Sequence, residues 1–216
     1  MDKLVPRDAR GVFVAPHPDD EVLATGGLLS LLAQSEREVL IIGVTEGEAS
    51  HEKIAPASMA RRRGKERAIA LERLGLPRSA IETLHFPDGD VSDDIPRLTC
   101  RLREYLQSTD VVFYPWERDG HPDHEATGLA ALEAIRATGA VGHAVPIWAW
   151  NWCKPGTHEM PFERAFKVPL SAKTIASKRA AIAAFSSQLE RQPGRAPILT
   201  NGTLAYFTRP FEVILT

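Results

Sequence analysis

Short apolar runs alternate along the chain with longer stretches whose apolar residues recur every three or four positions. Gly11 to Ala15, Val39 to Val44, Ile81 to Phe86 and Val111 to Tyr114 read as buried strands. Between them, Val22 to Gln34, Ser58 to Leu74, Ile95 to Gln107 and Glu125 to Thr138 read as helices. The second helix carries Ala60, Ala68, Leu71 and Leu74 on one face and stops at Gly75, two residues before Pro77. Gly26 and Gly27 leave room for close packing in the first. Val145 to Asn151 is expected as a fifth strand, with Trp148, Trp150 and Trp152 alternating onto one face. Phe166 to Leu170 and Phe211 to Leu215 are candidate short strands, and Ser171 to Ser186 a helix with Ser171 as N-cap. Strands alternating with helices imply right-handed crossovers and a mostly parallel sheet with helices on both faces. Periodicity weakens after Trp150, so a less regular C-terminal part is expected, with a loop at Arg191 to Ala196.

Composition narrows this picture only slightly. The 216 residues are 44% hydrophobic and 25% charged, which suits one α/β domain over 1–216. A formal net charge of -2 excludes a basic footprint for nucleic acid. No apolar segment is long enough to span a membrane, and the first residues carry no export signal, so a cytoplasmic location is expected. Cys100 and Cys153 are unclustered and read as reduced thiols.

Candidate chemistry sits directly after two of the strands. Following the first, the chain reads A15-P-H-P-D-D-E21; following the fourth, it reads E117-R-D-G-H-P-D-H-E125. So many carboxylates at the end of a buried strand repel one another unless something positive sits among them. Both clusters fall at the carboxyl edge of the sheet, where parallel α/β folds bind ligands. Proline keeps each preceding histidine extended and suits the first helical turn. His17 and Asp20 could then share one metal ion, with His124 as a third ligand from the other turn. Two imidazoles, one carboxylate and an open position make a hydrolytic zinc site. Taken singly, H-x-x-D is a weak signal, and Asp19 or Asp20 could simply cap the helix.

The pair A-P-H-P-D-D-E and H-P-D-H resembles the PIG-L/LmbE-like zinc-dependent deacetylases, from Val12 to about Gln188. That resemblance implies a Rossmann-like α/β fold and removal of the N-acetyl group from an N-acetylglucosamine-type sugar or glycoconjugate. It implies His17, Asp20 and His124 as zinc ligands and Asp19 as general base. It further implies His121 as oxyanion stabiliser or acid, with Asp123 holding its ring. Either Asp19 or His121 then protonates the departing amine. Zn2+ is the expected cofactor, with another divalent ion as alternative, and an amino sugar the expected small-molecule partner. Assembly into homo-oligomers is left open.

Other residues are expected to support the site. Arg63, in R63-G-K-E66, resembles a sugar-contacting arginine of the family, while Glu66 is expected to pair with a base at helical spacing. Asp88, in F86-P-D-G89, either hydrogen-bonds sugar hydroxyls or forms a plain turn. Glu46 could line the pocket, Glu48 is expected in solvent, and Gln188 near the site. Asp119 replaces a tyrosine found in some members two positions before the second motif. It is expected to bind substrate or to pair with Arg118. His51, His85, His143 and His158 read as surface or packing residues. Two rival readings remain: cleavage of another amide, such as a thiol conjugate, or a non-catalytic sugar- or nucleotide-binding module. The latter is disfavoured because the first strand–helix turn is acidic and lacks G-x-G-x-x-G.

Overall fold

The computed structural model describes residues 2–154, 159–191 and 194–216. Seven strands form one sheet in the order β3-β2-β1-β4-β5-β7-β6. They are β1 (Gly11–Ala15), β2 (Val39–Gly43), β3 (Ile81–Thr83), β4 (Val111–Pro115), β5 (Val141–Val145), β6 (Ala165–Pro169) and β7 (Phe211–Leu215). The first five are parallel, and β7 runs antiparallel to both β5 and β6. All residues of β1 and β4 are buried, which is why both read as unbroken apolar runs rather than alternating ones.

Among the described residues, seven α-helices flank the sheet: α1 (Asp20–Gln34), α2 (Pro56–Leu74), α3 (Ile95–Arg103), α4 (Pro122–Thr138), α5 (Ala172–Ile182), α6 (Ser186–Leu189) and α7 (Asn201–Phe207). Two apolar cores lie on the two sheet faces. One contains Phe13, Leu28, Leu71 and Phe185, and the other Val12, Ile42, Leu98 and Ala130. No helix among the described residues is long and apolar enough to cross a membrane.

Helix ends follow the local chemistry. Gly75, at φ 88°, closes α2 in the left-handed conformation, and the Ser171 side chain accepts the Thr174 N–H at the start of α5. Helix α1 breaks at Thr25 (φ -132°), which frees backbone donors one turn later. Glu212 of β7 accepts the N–H groups of Gly27 (2.6 Å) and Leu28 (2.9 Å), and Lys178 Nζ neutralises it at 2.6 Å. A Cβ at Gly27 would lie 2.5 Å from Leu170, so the expected close packing is real there.

One expected strand is misplaced. The fifth strand lies at Val141–Val145, and Trp148–Asn151 form a 3₁₀ turn. The tryptophans therefore do not share a strand face. Trp150 stacks on Tyr206 with ring centres 6.1 Å apart, Trp152 on Trp116 at 6.5 Å, and Trp148 is 38% exposed. Exposed Val141 and the small residues Gly142 and Ala144 hide this strand from an apolar-run reading. His158, and Gln192 and Pro193 of the expected loop, fall outside the described residues.

Candidate active site

The sheet order reverses between β1 and β4, the two central parallel strands, and both His-Pro-Asp turns open into that crevice. His17, Asp20 and His124 meet there. His17 Nδ1 lies 3.1 Å from Asp20 Oδ2, His124 Nε2 lies 3.3 Å from Asp20 Oδ2, and the two nitrogens are 3.3 Å apart. A tetrahedral ion with bonds of about 2.0–2.1 Å needs ligand atoms about 3.3–3.4 Å apart. These three residues thus fit a single small divalent cation with a position left open. His121 adds a ring nitrogen within 4.8 Å of those of His17 and His124.

The outer nitrogens of the two imidazoles are held by carboxylates, the usual support of metal-bound histidine. His124 Nδ1 is 2.6 Å from Asp119 Oδ2. His17 Nε2 is 3.0 Å from Asp123 Oδ2 and 3.3 Å from Asp88 Oδ1. Without a cation, the carboxylates retain protons on both rings. Burial opposes the charge on His124, but Asp20 and Asp119 outweigh it and lift its pKa to about 9. His17 is likewise raised well above the ordinary value, its bonds to Asp123, Asp20 and Asp88 overcoming burial. Asp20 is held well below the usual carboxylate range by the two imidazoles despite its burial. The surrounding carboxylates thus favour positive charge between the two rings.

Asp19 lies beside this group in an unusual backbone conformation, φ 145° and ψ -28°, which costs a non-glycine residue on the order of 1–3 kcal/mol. Its side chain makes no helix-capping bond, so the capping alternative is not what the fold uses. The peptide joining Pro18 to Asp19 is gripped at both ends. Its carbonyl accepts from Arg63 Nη2 (2.8 Å), and its N–H reaches Glu21 Oε2 (3.3 Å). Glu21 is fixed in turn by Arg67 Nε at 2.8 Å. The two arginines sit one turn apart on α2, and Glu21, Arg63 and Arg67 are all buried. Burial pushes the Asp19 carboxyl up to about 7, against the lowering effect of Arg63, whose Nη2 lies 3.2 Å from Asp19 Oδ2. A carboxyl titrating near neutrality suits a general base.

Several expected roles are redistributed. Asp123 does not hold the His121 ring. It is fully buried, accepts the N–H groups of Gly89 (2.8 Å) and Val91 (3.2 Å), and faces His17. His121 Nδ1 is buried without a hydrogen-bond partner among the described residues. Burial and the neighbouring His124 and His17 push its pKa down to about 4, so its ring is neutral at neutral pH rather than an imidazolium. Asp119 neither reaches the cleft nor pairs with Arg118. It is fully buried beneath His124 and accepts the N–H groups of Ile147, Trp148 and Ala149 at 2.7–3.0 Å. Gly120, at φ 83°, lets the chain turn from Asp119 into His121, and a Cβ there would meet Trp152 Nε1 at 2.4 Å. Arg63 lines the cleft but is 3% exposed and bound to Pro18, Gly47 and Asp19. Glu48 is not solvated: its Oε1 accepts the Asp88 N–H at 3.0 Å and sets that loop. Glu46 pairs with His85 at 3.2 Å, away from the cleft lining. Glu66 does pair with Arg62, four residues earlier, and also ties α2 to Ser186 and Ser187.

Glu21 and Arg67 were not singled out as site residues by sequence reasoning. The signal available was the Glu ending A-P-H-P-D-D-E and an arginine four residues after Arg63; nothing in the sequence joins them across 46 positions. The cleft itself has a volume of about 380 Å³. Asp88 lies at its β3 side, and Gln188 reaches its wall as expected.

A doubly wound sheet with an open two-histidine, one-carboxylate group at its switch point defines an α/β protein with a candidate metal-binding centre. The chain belongs to the PIG-L family: residues 12–135 match the family described as GlcNAc-PI de-N-acetylase. It is 29% identical over 170 residues to a 1D-myo-inositol 2-acetamido-2-deoxy-alpha-D-glucopyranoside deacetylase of Mycolicibacterium smegmatis, covering 66% of this chain and 59% of that one. It is 33% identical over 152 residues to a probable N-acetyl-alpha-D-glucosaminyl L-malate deacetylase of Bacillus cereus, covering 63% and 67%. The crystal structure of a conserved Thermus thermophilus protein superposes with a TM-score of 0.63 at 29% identity, over 83% of this chain and 79% of the other.

Proposed function

We propose that this protein is a zinc-dependent hydrolase that removes the N-acetyl group from an N-acetylglucosamine-type sugar or glycoconjugate. The observation that carries the reading is the triangle of His17, Asp20 and His124, open toward a cleft that the Asp19 carboxylate also lines. The named activities of the relatives, both deacetylations of N-acetylglucosaminyl conjugates, supply the bond type.

A zinc ion at the triangle supplies Lewis acidity toward the amide carbonyl and a lowered pKa for water. Asp19 takes the proton from the attacking water. Its pKa of about 7 lets it be ionised at rest and still return that proton to the departing amine. His121, held neutral, donates a ring N–H toward the carbonyl oxygen as negative charge builds there. A ring with a pKa of about 4 carries no spare proton at neutral pH, which favours Asp19 as the group that protonates the amine. Asp119 and Asp123 hold the His124 and His17 rings. Asp88 stands at the cleft wall within reach of sugar hydroxyls.

The test is acetate release from N-acetylglucosamine, its short oligomers and its glycoconjugates. Zinc-loaded protein is expected to release acetate, chelation to abolish release, and added zinc to restore it. Fully zinc-loaded protein that frees no acetate from any of them removes the proposal.

A further inference from the structure

The two walls of the cleft differ in chemistry, and the sheet order explains why. On the β2–β3 side the wall is polar, made by Ser50, Arg63, Asp88 and Gly89. On the β5 side it is mainly apolar: Ile147 and Trp148 follow β5, and Ile198, Leu199 and Phe207 come from the segment leading through α7, with Asn151 and Thr203, bonded to each other, as polar residues among them. Trp148 and Ile198 are 38% and 37% exposed, so this wall presents apolar surface to whatever enters. The Trp148 ring stands 5.9 Å from that of His121, edge to face, which brings the apolar wall up to the reacting centre.

Charge restricts the ligand further. Among the described residues lining the cleft, Arg63 is the single arginine or lysine; its Nη1 is held by Gly47 and its Nη2 by Pro18 and Asp19, while its Nε is buried without a partner. Asp19, Asp20, Asp88 and Asp123 line the same space. Arg62 and Arg195, on flanking segments, are paired with Glu190 and Glu52. These four carboxylates would repel an anionic substituent.

Resting on the deacetylase reading, we infer that the substrate is an uncharged N-acetyl amino-sugar glycoside with an apolar aglycone. The sugar hydroxyls face Asp88, and the aglycone lies against Trp148 and Ile198. A conjugate carrying carboxylates, like that named for the Bacillus cereus relative, is disfavoured here.

Zinc-loaded full-length protein is assayed with N-acetylglucosamine, its octyl glycosides and its malate glycosides, each in both anomers. One methylene in an apolar pocket is worth about tenfold or more in kcat/KM, so the better octyl anomer should exceed the free sugar by at least about tenfold. It should exceed the malate conjugates by a similar factor. Trp148→Ala and Ile198→Ala, both at exposed positions, should each shrink the octyl preference, and together bring it within about threefold of the free sugar. The inference is overturned if the malate conjugates match the octyl glycosides, if octyl confers no gain, or if the gain survives both substitutions. In each of those cases acetate release from the free sugar leaves the deacetylase reading standing. Release from none of the compounds removes both.

Discussion

The two His-Pro-Asp turns share a sequence grammar and differ in backbone. After β4, His121 is extended (φ -120°, ψ 127°), Pro122 opens α4, and Asp123 and His124 follow in regular helical geometry. After β1, the equivalent turn bends at Asp19 into a conformation that side chains rarely adopt. The relaxed turn supplies the imidazole of His124, proposed as a metal ligand, and a carboxylate that steadies the other ring. The strained one supplies the other two proposed ligands, His17 and Asp20, with the proposed base between them. The proposed base must face the same cleft as its neighbour Asp20 without joining the triangle. The strain is sustained because Arg63 of α2 holds the carbonyl end of the peptide and Glu21 of α1, fixed by Arg67, holds the N–H end.

Exchanging one carboxylate for an amide in each turn gives the largest contrast. Asp19→Asn should lower kcat by about 10²–10⁴ with zinc content unchanged, since a proton acceptor is removed and no ligand is lost. Asp123→Asn should act the other way round, weakening zinc affinity by about 10–100-fold through the loosened His17 ring. Zinc content by atomic absorption, measured beside kcat, separates them. Equal loss of metal in both variants would end the assignment of different roles to the two turns.

The clamp on the strained turn gives the next effect. Glu21→Ala leaves the Asp19 N–H and Arg67 without their shared partner, and kcat should fall by about 10–100-fold at unchanged KM. Residues that act through one another are not additive. The double variant Glu21→Ala/Asp19→Asn should therefore be no slower than Asp19→Asn alone. A purely structural ion pair would instead give multiplied losses, and would lower the thermal midpoint without changing the rate per zinc-loaded site.

This contrast also marks the limit of what the sequence discloses. Both motifs, their places at strand ends and the meeting of His17, Asp20 and His124 were legible, because the chemistry is written in consecutive residues and the alternation of strand and helix forces them to one sheet edge. The direction of each side chain was not. Asp123 faces His17 rather than His121, and Asp119 turns inward to three backbone N–H groups, because both choices depend on loops that arrive from elsewhere: Gly89 to Val91 for the first and Ile147 to Ala149 for the second. The conformation of Asp19 was hidden for the same reason, since Arg63 and the Arg67 that fixes Glu21 both lie on α2. The β5 error is of another kind. An edge of the parallel set that carries Val, Gly, His and Ala lacks the apolar run by which its neighbours are recognised.

The smallest signal sharpens the comparison within one turn, where His121 and His124 titrate in opposite directions. In metal-free protein His124 is raised to about 9 from an unfolded value near 6.5, so its stabilisation is complete below pH 6.5 and is lost as pH rises through about 9. His17, also raised, acts with the same sign. His121 is lowered to about 4, so the unfolded chain binds its proton first and stability falls as pH drops from about 6.5 toward 4. Asp19, raised to about 7, loses stabilisation as pH climbs toward 7 and offsets His121, so the chelated protein should change little between pH 5 and 6.5 and lose a few degrees of thermal midpoint by pH 9. Zinc-loaded protein should show no such loss on the alkaline side, because ligand deprotonation then favours the bound ion. Thermal unfolding of both forms between pH 5 and 9 measures this directly. A metal-free midpoint that holds steady or climbs from pH 6.5 to 9 would mean that the carboxylates around His17 and His124 do not keep their protons in place of a cation.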